Sequence, residues 1–276
     1  MLKTRIITAL VLLAVLLPVL YSANPIAFAL VVTLFFGAAI WEGFRLFNPG
    51  SARALLISLC WSAAFAYAFF FAGPARPLFW FALSALIWLL RLVPSLKLGL
   101  PPLASSGNTL LSLTYAVAIV ACFAAIVTLF RHSPMYLLSV MVLVWIADIG
   151  AYFAGKAFGK RKLAPSISPG KSWEGAIGGA IAVLLLSALS ILFGGPVLFD
   201  TFAVQVQARF GWALLAAILL VLAAASVIGD LFESQLKRRA GVKDSSGLLP
   251  GHGGVLDRID ALIPVLPLAA LIDTWL

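Results

Sequence analysis

Thr109–Phe130 reads TLLSLTYAVAIVACFAAIVTLF, a run without one charged side chain. A helix crossing the hydrocarbon core of a bilayer needs about 20 predominantly apolar residues, and this run meets that length by itself. It is not isolated. Comparable apolar segments lie at 5–22, 25–41, 53–72, 78–93, 135–155, 175–194, 211–230 and 259–275. The whole chain of 276 residues is 63% apolar and 11% charged, with a mean hydropathy of +1.11, whereas a soluble domain carries about 25% charged residues. The expected fold is therefore all-α: a polytopic integral membrane helix bundle of about nine transmembrane helices. The first segment has the look of a signal peptide, with Lys3 and Arg5 before an apolar run and YSAN after it, but it is read as an uncleaved first helix. The end of the fourth is blurred by Arg91, Pro94 and Pro101. Cys60 and Cys122 sit inside apolar runs and read as small buried hydrophobes.

The cations give an orientation. With the N-terminus inside and strict alternation, sixteen of the nineteen Lys and Arg fall on inside segments; only Arg76, Arg131 and Arg209 fall outside. The positive-inside rule then predicts a cytosolic N-terminus and an outer C-terminus. Topology accounts for the net charge of +9, and no nucleic-acid partner is expected. Two inside loops are long, about 156–174 and 231–258, so chemistry is expected at the cytosolic face. Residues 195–210 form a mixed outer connection. The chain divides into N-terminal transmembrane helices, 1–130, and a C-terminal catalytic transmembrane region with the two loops, 131–276.

Seven of the ten acidic residues, Asp148, Glu174, Asp230, Glu233, Asp244, Asp257 and Asp260, lie in or beside those two loops. Asp148, in VWIADIGAYFAG, and Asp230, in AAASVIGDLFES, stand within or at the end of apolar helices. A carboxylate there costs about 2.5 kcal/mol or more and usually faces a polar cavity or a partner. Asp257 and Asp260 are three residues apart, hence on one face of a helix, at the start of the last apolar segment. The plain reading is an N-cap with its capping-box partner. The Gly-rich PGHGG before them suggests more: carboxylates for a cation, with the amides of Gly253, Gly254 and a helix N-terminus for a phosphate. Mg2+ is commonly held by carboxylates together with substrate phosphates. Lys237, Arg238, Arg239 and Lys243 lie just upstream, and at least two of them are expected to touch substrate; membrane anchoring against anionic headgroups explains part of this charge. His252 could be a phosphate donor, a proton acceptor or a structural hydrogen bonder. His132 reads as an unremarkable outer-loop residue, and two distant histidines give no zinc site. In the other loop, GKAFGKRKLAPSISPGKSWEG, the SPGKS segment resembles the tail of a phosphate-binding loop but lacks that motif's upstream glycine. Lys171 and Ser172 there suggest a second polyanion-handling surface facing the first.

Ser234–Asp260, SQLKRRAGVKDSSGLLPGHGGVLDRID, resembles the signature of the phosphatidate cytidylyltransferases, also called CDP-diacylglycerol synthases. The family pattern has Ser, a gap, an aliphatic residue and Lys-Arg; then Lys-Asp after four free positions; then His-Gly-Gly and Asp-Arg-aliphatic-Asp. Each fixed position is met. ADIGAYFAGKAFGK and SPGKSWEG are similar to the family's other cytosolic stretch, so the resemblance covers about the last half of the chain. Ile149 stands where Ser or Thr is common, and Ala261 where Ser or Gly is common. The resemblance implies an integral membrane enzyme, often dimeric, that converts CTP and phosphatidate to CDP-diacylglycerol and pyrophosphate. It implies Mg2+, with a second, monovalent cation such as K+ consistent with the family, and metal or catalytic roles for Asp230, Asp257 and Asp260.

Physical reasoning adds the remaining roles. Phosphatidate stays in the leaflet while CTP arrives from the cytosol, so the reaction belongs at the interface between them. Lys237, Arg238, Lys243 and Arg258 would offset phosphate charge, and Lys171 with Ser172 would complete the nucleotide site. The second pKa of a phosphomonoester is about 6, so no strong base is needed and His252 is not essential in that role. A transporter is disfavoured because the polar residues gather at one face. A CTP-using lipid kinase would instead attack the γ-phosphorus and release CDP. A bacterial inner membrane is the expected location.

Overall fold

A computed structural model describes residues 2–22, 24–50, 53–72 and 77–276; the outer placement expected for Arg76 lies outside the described residues. Among the described residues seven helices are long and apolar enough to cross a membrane: Pro25–Phe47, Arg53–Phe71, Pro77–Leu98, Ser106–His132, Pro134–Phe158, Trp173–Phe193 and Phe202–Arg239. Two shorter apolar helices, Leu10–Tyr21 and Leu262–Asp273, coincide with the first and last expected segments. All nine expected segments are thus helical and the bundle is all-α in class, with seven of them meeting the length criterion. In chain order the helices are α1 (Leu2–Tyr21), α2 (Pro25–Phe47), α3 (Arg53–Ala66), α4 (Pro77–Ile87), α5 (Val93–Leu98), α6 (Ser106–His132), α7 (Pro134–Phe158), α8 (Trp173–Phe193), α9 (Phe202–Arg239), α10 (Leu256–Ile259) and α11 (Leu262–Asp273).

The blurred fourth segment has a physical explanation. Pro94 has no N–H and cannot continue the regular ladder. The chain passes from α4 to α5 through a π-helical turn, Trp88–Leu92, so the axis continues past the proline. The outer connection at 195–210 is likewise partly helical. A 3-10 turn, Gly195–Leu198, leads into the start of α9, where Phe202, Ala203 and Val206 are buried. Gly211, at φ 78°, breaks the α9 backbone at the residue where the expected span begins.

The centre of the bundle is α6, 72% buried over its apolar window, against 17–39% for the other long helices. Phe123 on α6 meets Phe36 of α2 edge-on at 5.4 Å, and Phe36 stacks on Phe65 of α3 at 4.4 Å. The outer faces of α3 and α8 keep exposed leucines, isoleucines and phenylalanines, the pattern of surfaces facing lipid. Cys122 is buried, but Cys60 is exposed on α3, which corrects its expected burial. The helices α7 and α8 pack closely because a Cβ at Gly179 would run into the backbone of Ala147; small residues allow such approach between membrane helices.

One feature of the 156–174 loop was not expected: β1 (Lys162–Ala164) and β2 (Ser168–Ser172) form an antiparallel hairpin. Glu174 holds it by accepting hydrogen bonds from the backbone N–H groups of Lys160 and Arg161 at 3.1 and 3.2 Å.

Polar contacts between helices gather at the two ends of the bundle. At one end Gln235 reaches the Ser95 carbonyl (3.0 Å), Arg239 the Pro101 carbonyl (2.9 Å), and Asn108 the Phe47 carbonyl (2.9 Å). At the other, His132 lies 3.3 Å from Asp200 and 3.0 Å from Asp273 and stacks on Tyr136. His132 therefore ties three helices at that end and is more than the unremarkable loop residue expected.

Candidate active site

The first end is where the acidic residues converge. The C-terminal half of α9 places Asp230 and Ser234 one turn apart, with a 3.2 Å hydrogen bond between them, and Glu233 and Lys237 one turn apart, at 2.6 Å. Residue 229 must be glycine for this stretch to reach the 260–264 backbone, because a Cβ there would collide with the Asp260 carbonyl and come within 2.9 Å of the Pro264 ring. That contact makes Asp230 and Asp260 neighbours within Coulombic reach. The Glu233 and Asp260 carboxylates face each other at hydrogen-bonding range. No protein hydrogen-bond donor is placed on Glu233 Oε1, which is buried.

Lys237 bridges two elements, with Nζ 2.6 Å from Glu233 Oε2 and 2.6 Å from Asp257 Oδ1. Asp257 Oδ2 accepts from Ser245 N (2.8 Å), Ser245 Oγ (2.9 Å) and Gly254 N (2.8 Å). Burial pushes the Asp257 carboxyl up, but the Lys237 ammonium and the N–H groups of Gly254 and Ser245 outweigh it and hold the group below the usual carboxylate range. The other loop joins here: Lys171 on β2 forms a 2.5 Å ion pair with Asp230, and Asp148 is within Coulombic reach of both. Arg238 Nε donates to the Ile167 carbonyl at 3.4 Å. The two polar loops therefore meet across α9.

The Gly-rich turn is tied off from within. Leu249 N donates to the Gly253 carbonyl and His252 N to the Leu249 carbonyl, both at 2.8 Å. Gly253 has φ 84°, and a Cβ there would lie 2.7 Å from Asp257 Oδ2. The N–H groups of Gly254, Val255 and Leu256 are already taken by Asp257 and by Glu42 of α2. In this arrangement those amides are not presented to a phosphate, contrary to the expectation for Gly254 and the helix N-terminus. Asp257 is not a simple cap for Asp260 either: the Asp260 carboxylate accepts from its neighbour Ala261 N at 2.7 Å.

This architecture has known relatives. The model of the "Cytidylyltransferase family" matches residues 3–275. The chain belongs to that family. It is 38% identical to the phosphatidate cytidylyltransferase of Haemophilus influenzae over 288 residues, covering 97% of this chain and 96% of that protein. It is 40% identical to that of Pseudomonas aeruginosa over 278 residues, covering 98% and 96%. Against the Bacillus subtilis protein of the same name it is 41% identical over 145 residues, about half of each chain.

For a cytidylyltransferase, the residues singled out in the sequence sort into three groups. Asp230, Asp257, Asp260, Lys237 and Lys171 converge. Arg238, Lys243 and Arg258 are exposed at the same end of the bundle; Lys243 and Arg258 make no ion pair among the described residues, so their charge is available to a polyanion. Ser172, in contrast, is buried with Oγ accepting from Gly175 N at 3.1 Å, which makes it the N-cap of α8. Arg239 is tucked over the Phe47 ring at 5.1 Å and serves packing. His252 Nδ1 is buried with no hydrogen-bond partner among the described residues. Two residues had no role assigned from the sequence. Glu233 was counted in the acidic cluster, and its four-residue spacing from Lys237 was the further signal. Glu42, fully buried, was signalled by its position inside the apolar run GAAIWEGFRLF.

The metal expectation divides along the same lines. Asp257 Oδ2 lies against three protein donors and Oδ1 is paired with Lys237. Asp230 and Asp260, with Glu233 facing Asp260, form an acidic face on which, among the described residues, the ion-paired cations are Lys171 and Lys237. Among the described residues no three His, Cys, Asp or Glu side chains form a ready ligand set. A site of two carboxylates completed by substrate phosphates, the usual Mg2+ arrangement, needs no such set.

Proposed function

We propose that this chain transfers CMP from CTP to phosphatidate, leaving CDP-diacylglycerol in the membrane and releasing pyrophosphate. The observation that carries the reading is the junction of the two polar loops, Lys171 against Asp230, beside the Asp257–Lys237–Glu233–Asp260 cluster at one end of an apolar bundle. Such a place gives a lipid phosphate and a soluble triphosphate simultaneous access. The names of the full-length relatives support the same substrates.

In this reaction an oxygen of the phosphatidate monoester forms a bond to the α-phosphorus of CTP. The bond from that phosphorus to the β-phosphate oxygen breaks, and pyrophosphate takes the electron pair. A phosphomonoester is already substantially ionised near neutral pH, so His252 has no obligatory role as base. Two anions must approach each other, so charge neutralisation dominates. Arg238, Lys243 and Arg258 supply exposed positive charge, and Lys171 can exchange Asp230 for a phosphate. Asp230 and Asp260 are the residues that would hold Mg2+, with Glu233 beside Asp260 for a second, monovalent cation such as K+. Bound there, the ions supply charge neutralisation for the attacking and leaving oxygens. Asp257 acts in this scheme by holding Lys237.

Sixteen of nineteen Lys and Arg fall on the segments of the site end, which supports a cytosolic site and N-terminus. Bacterial relatives support an inner-membrane location. A homodimer is proposed from the family resemblance, and light scattering in detergent tests it. The deciding experiment supplies purified protein with phosphatidate, Mg2+ and CTP labelled at either the α- or the γ-phosphorus. Lipid-linked α-label with free pyrophosphate is the expected result. Lipid-linked γ-label would replace the reading with a lipid kinase. No labelled lipid across varied lipids and cations would remove the enzyme reading and leave ion transport to be examined.

A further inference from the structure

We propose that Glu42 is a positioning residue for the reaction: it clamps both ends of the 245–256 loop and, through Ser245, fixes Asp257 and Lys237. The inference rests on the cytidylyltransfer reading of the site. Glu42 lies on α2, far from the site in sequence, and its side chain is fully buried. A carboxylate has about four acceptor positions, and four donor groups lie against them, the single Ser245 hydroxyl proton being shared between Glu42 and Asp257. Oε1 accepts from Ser246 Oγ and from Val255 N at 3.1 Å. Oε2 accepts from Ser245 Oγ at 3.2 Å and from Leu256 N at 2.6 Å. Two donors come from the start of the loop and two from its return, so a single side chain closes the loop at its neck.

Three features argue for positioning over simple packing. Ser245 Oγ lies within hydrogen-bonding distance of both Glu42 Oε2 and Asp257 Oδ2, and Ser245 N also donates to Asp257. The chain of contacts then continues from Asp257 to Lys237 and from Lys237 to Glu233. Gly254 is pressed so close that a Cβ would collide with both Ser245 Oγ and the Glu42 carboxylate, so the neck is shaped around this clamp. Finally, Glu42 is fully buried with donor groups of the loop against both oxygens, so it does not face metal or substrate. It acts on the reaction only through the groups it holds.

The test is Glu42→Gln, purified beside wild type, with kcat, KM for CTP and KM for phosphatidate measured per folded molecule and with a melting curve of each protein in detergent. Glutamine keeps the shape, but its NH2 must face a backbone N–H at Val255 or Leu256, leaving donor against donor. The expected result is a fall in kcat of about 10- to 100-fold, the range for residues that orient a reacting shell, with both KM values within about threefold. Ser245→Ala, which removes the hydroxyl between Glu42 and Asp257 while leaving the Ser245 N–H on Asp257 and the Glu42 contacts to 246, 255 and 256, should lower kcat in the same direction and serves if Glu42→Gln does not fold. A Glu42→Gln enzyme with wild-type kcat per folded molecule would overturn the proposal, as would wild-type kcat in Ser245→Ala. Wild-type protein that makes no CDP-lipid would fail the reaction itself, a result distinct from equal activity in wild type and variants.

Discussion

Replacing Lys237 with methionine removes one charge from between two carboxylates and keeps most of the stem. In the structure the ammonium sits 2.6 Å from Glu233 and 2.6 Å from Asp257, and the three side chains are 13%, 0% and 4% exposed. At an effective dielectric of about 20, each contact is worth about 6 kcal/mol of Coulomb attraction, opposed by desolvation of several kcal/mol per ion. The net value of the bridge is small by comparison. Breaking it is different, because the carboxylates stay buried after the cation has gone, and such changes cost about 3–5 kcal/mol. For a chain of this size that lowers the melting temperature on the order of 10 °C. Asp257 adds a pH signature. Its folded-state pKa is depressed, so its stabilising contribution is present above its unfolded value of about 4 and is lost as pH falls through the lower folded value. In Lys237→Met the main depressing contact is gone, and the acid limb of stability moves to higher pH. Melting curves in detergent between pH 3 and 8 measure both effects, with exposed Lys97→Met as a control expected within about 0.5 kcal/mol of wild type. A Lys237→Met protein that melts within 2 °C of wild type at about pH 7, with an unshifted acid limb, would refute the assignment of a buried charge bridge.

Lys171→Ala cuts the only ion pair the hairpin makes with α9 among the described residues; kcat/KM for CTP should fall by about tenfold or more, the cost of losing a charge-assisted contact, with Lys171→Arg retaining part of it in the same steady-state assay. Gly254→Ala pushes a methyl into Ser245 Oγ and Glu42, and overpacking of this kind costs about 1–3 kcal/mol; a drop in melting temperature together with reduced activity is expected. His132→Gln loosens the opposite end, where His132 contacts Asp200 and Asp273. It should destabilise by about 1 kcal/mol while leaving kcat per folded enzyme unchanged, which separates stability at that end from chemistry at the other.

The helices were legible because a bilayer leaves the chain little choice: backbone groups in hydrocarbon must be satisfied within the segment, and apolar runs of the right length record that. Asp230, Lys237, Asp257 and Asp260 were legible for the complementary reason, since charge beside an apolar helix needs a partner. The hairpin at 162–172 was not, because Lys162–Ala164 and Ser168–Ser172 are too short and polar to show a strand period, and a backbone contact with Glu174 decides their shape. Glu42 was within reach. The argument that marked Asp148 and Asp230 applies equally to a carboxylate in GAAIWEGFRLF. Its partners were not within reach, because they lie more than 200 positions away, and no local pattern pairs α2 with the 245–256 loop. The partners of the helix-N-terminus amides were out of reach for a related reason: free amides follow from local geometry, but whether another carboxylate has already taken them is a tertiary fact.

The occupied amides bear on the proposed function. A glycine-rich loop at the end of a membrane bundle exposes backbone donors where water is scarce, and each buried donor without an acceptor costs about 1–3 kcal/mol. Here two carboxylates, Glu42 and Asp257, take those donors, so the loop is a finished structural unit before any substrate arrives. What remains adjustable is Lys171 on Asp230 and the exposed Arg238, Lys243 and Arg258. Under the proposed function, recognition of the triphosphate then rests on side-chain charge more than on a backbone cradle. Side-chain charge at an exposed rim is screened by salt, whereas the buried bridge at Lys237 is not. Affinity for CTP should therefore weaken with ionic strength while the stability of the loop does not, because the loop contacts are buried and the charged rim is exposed.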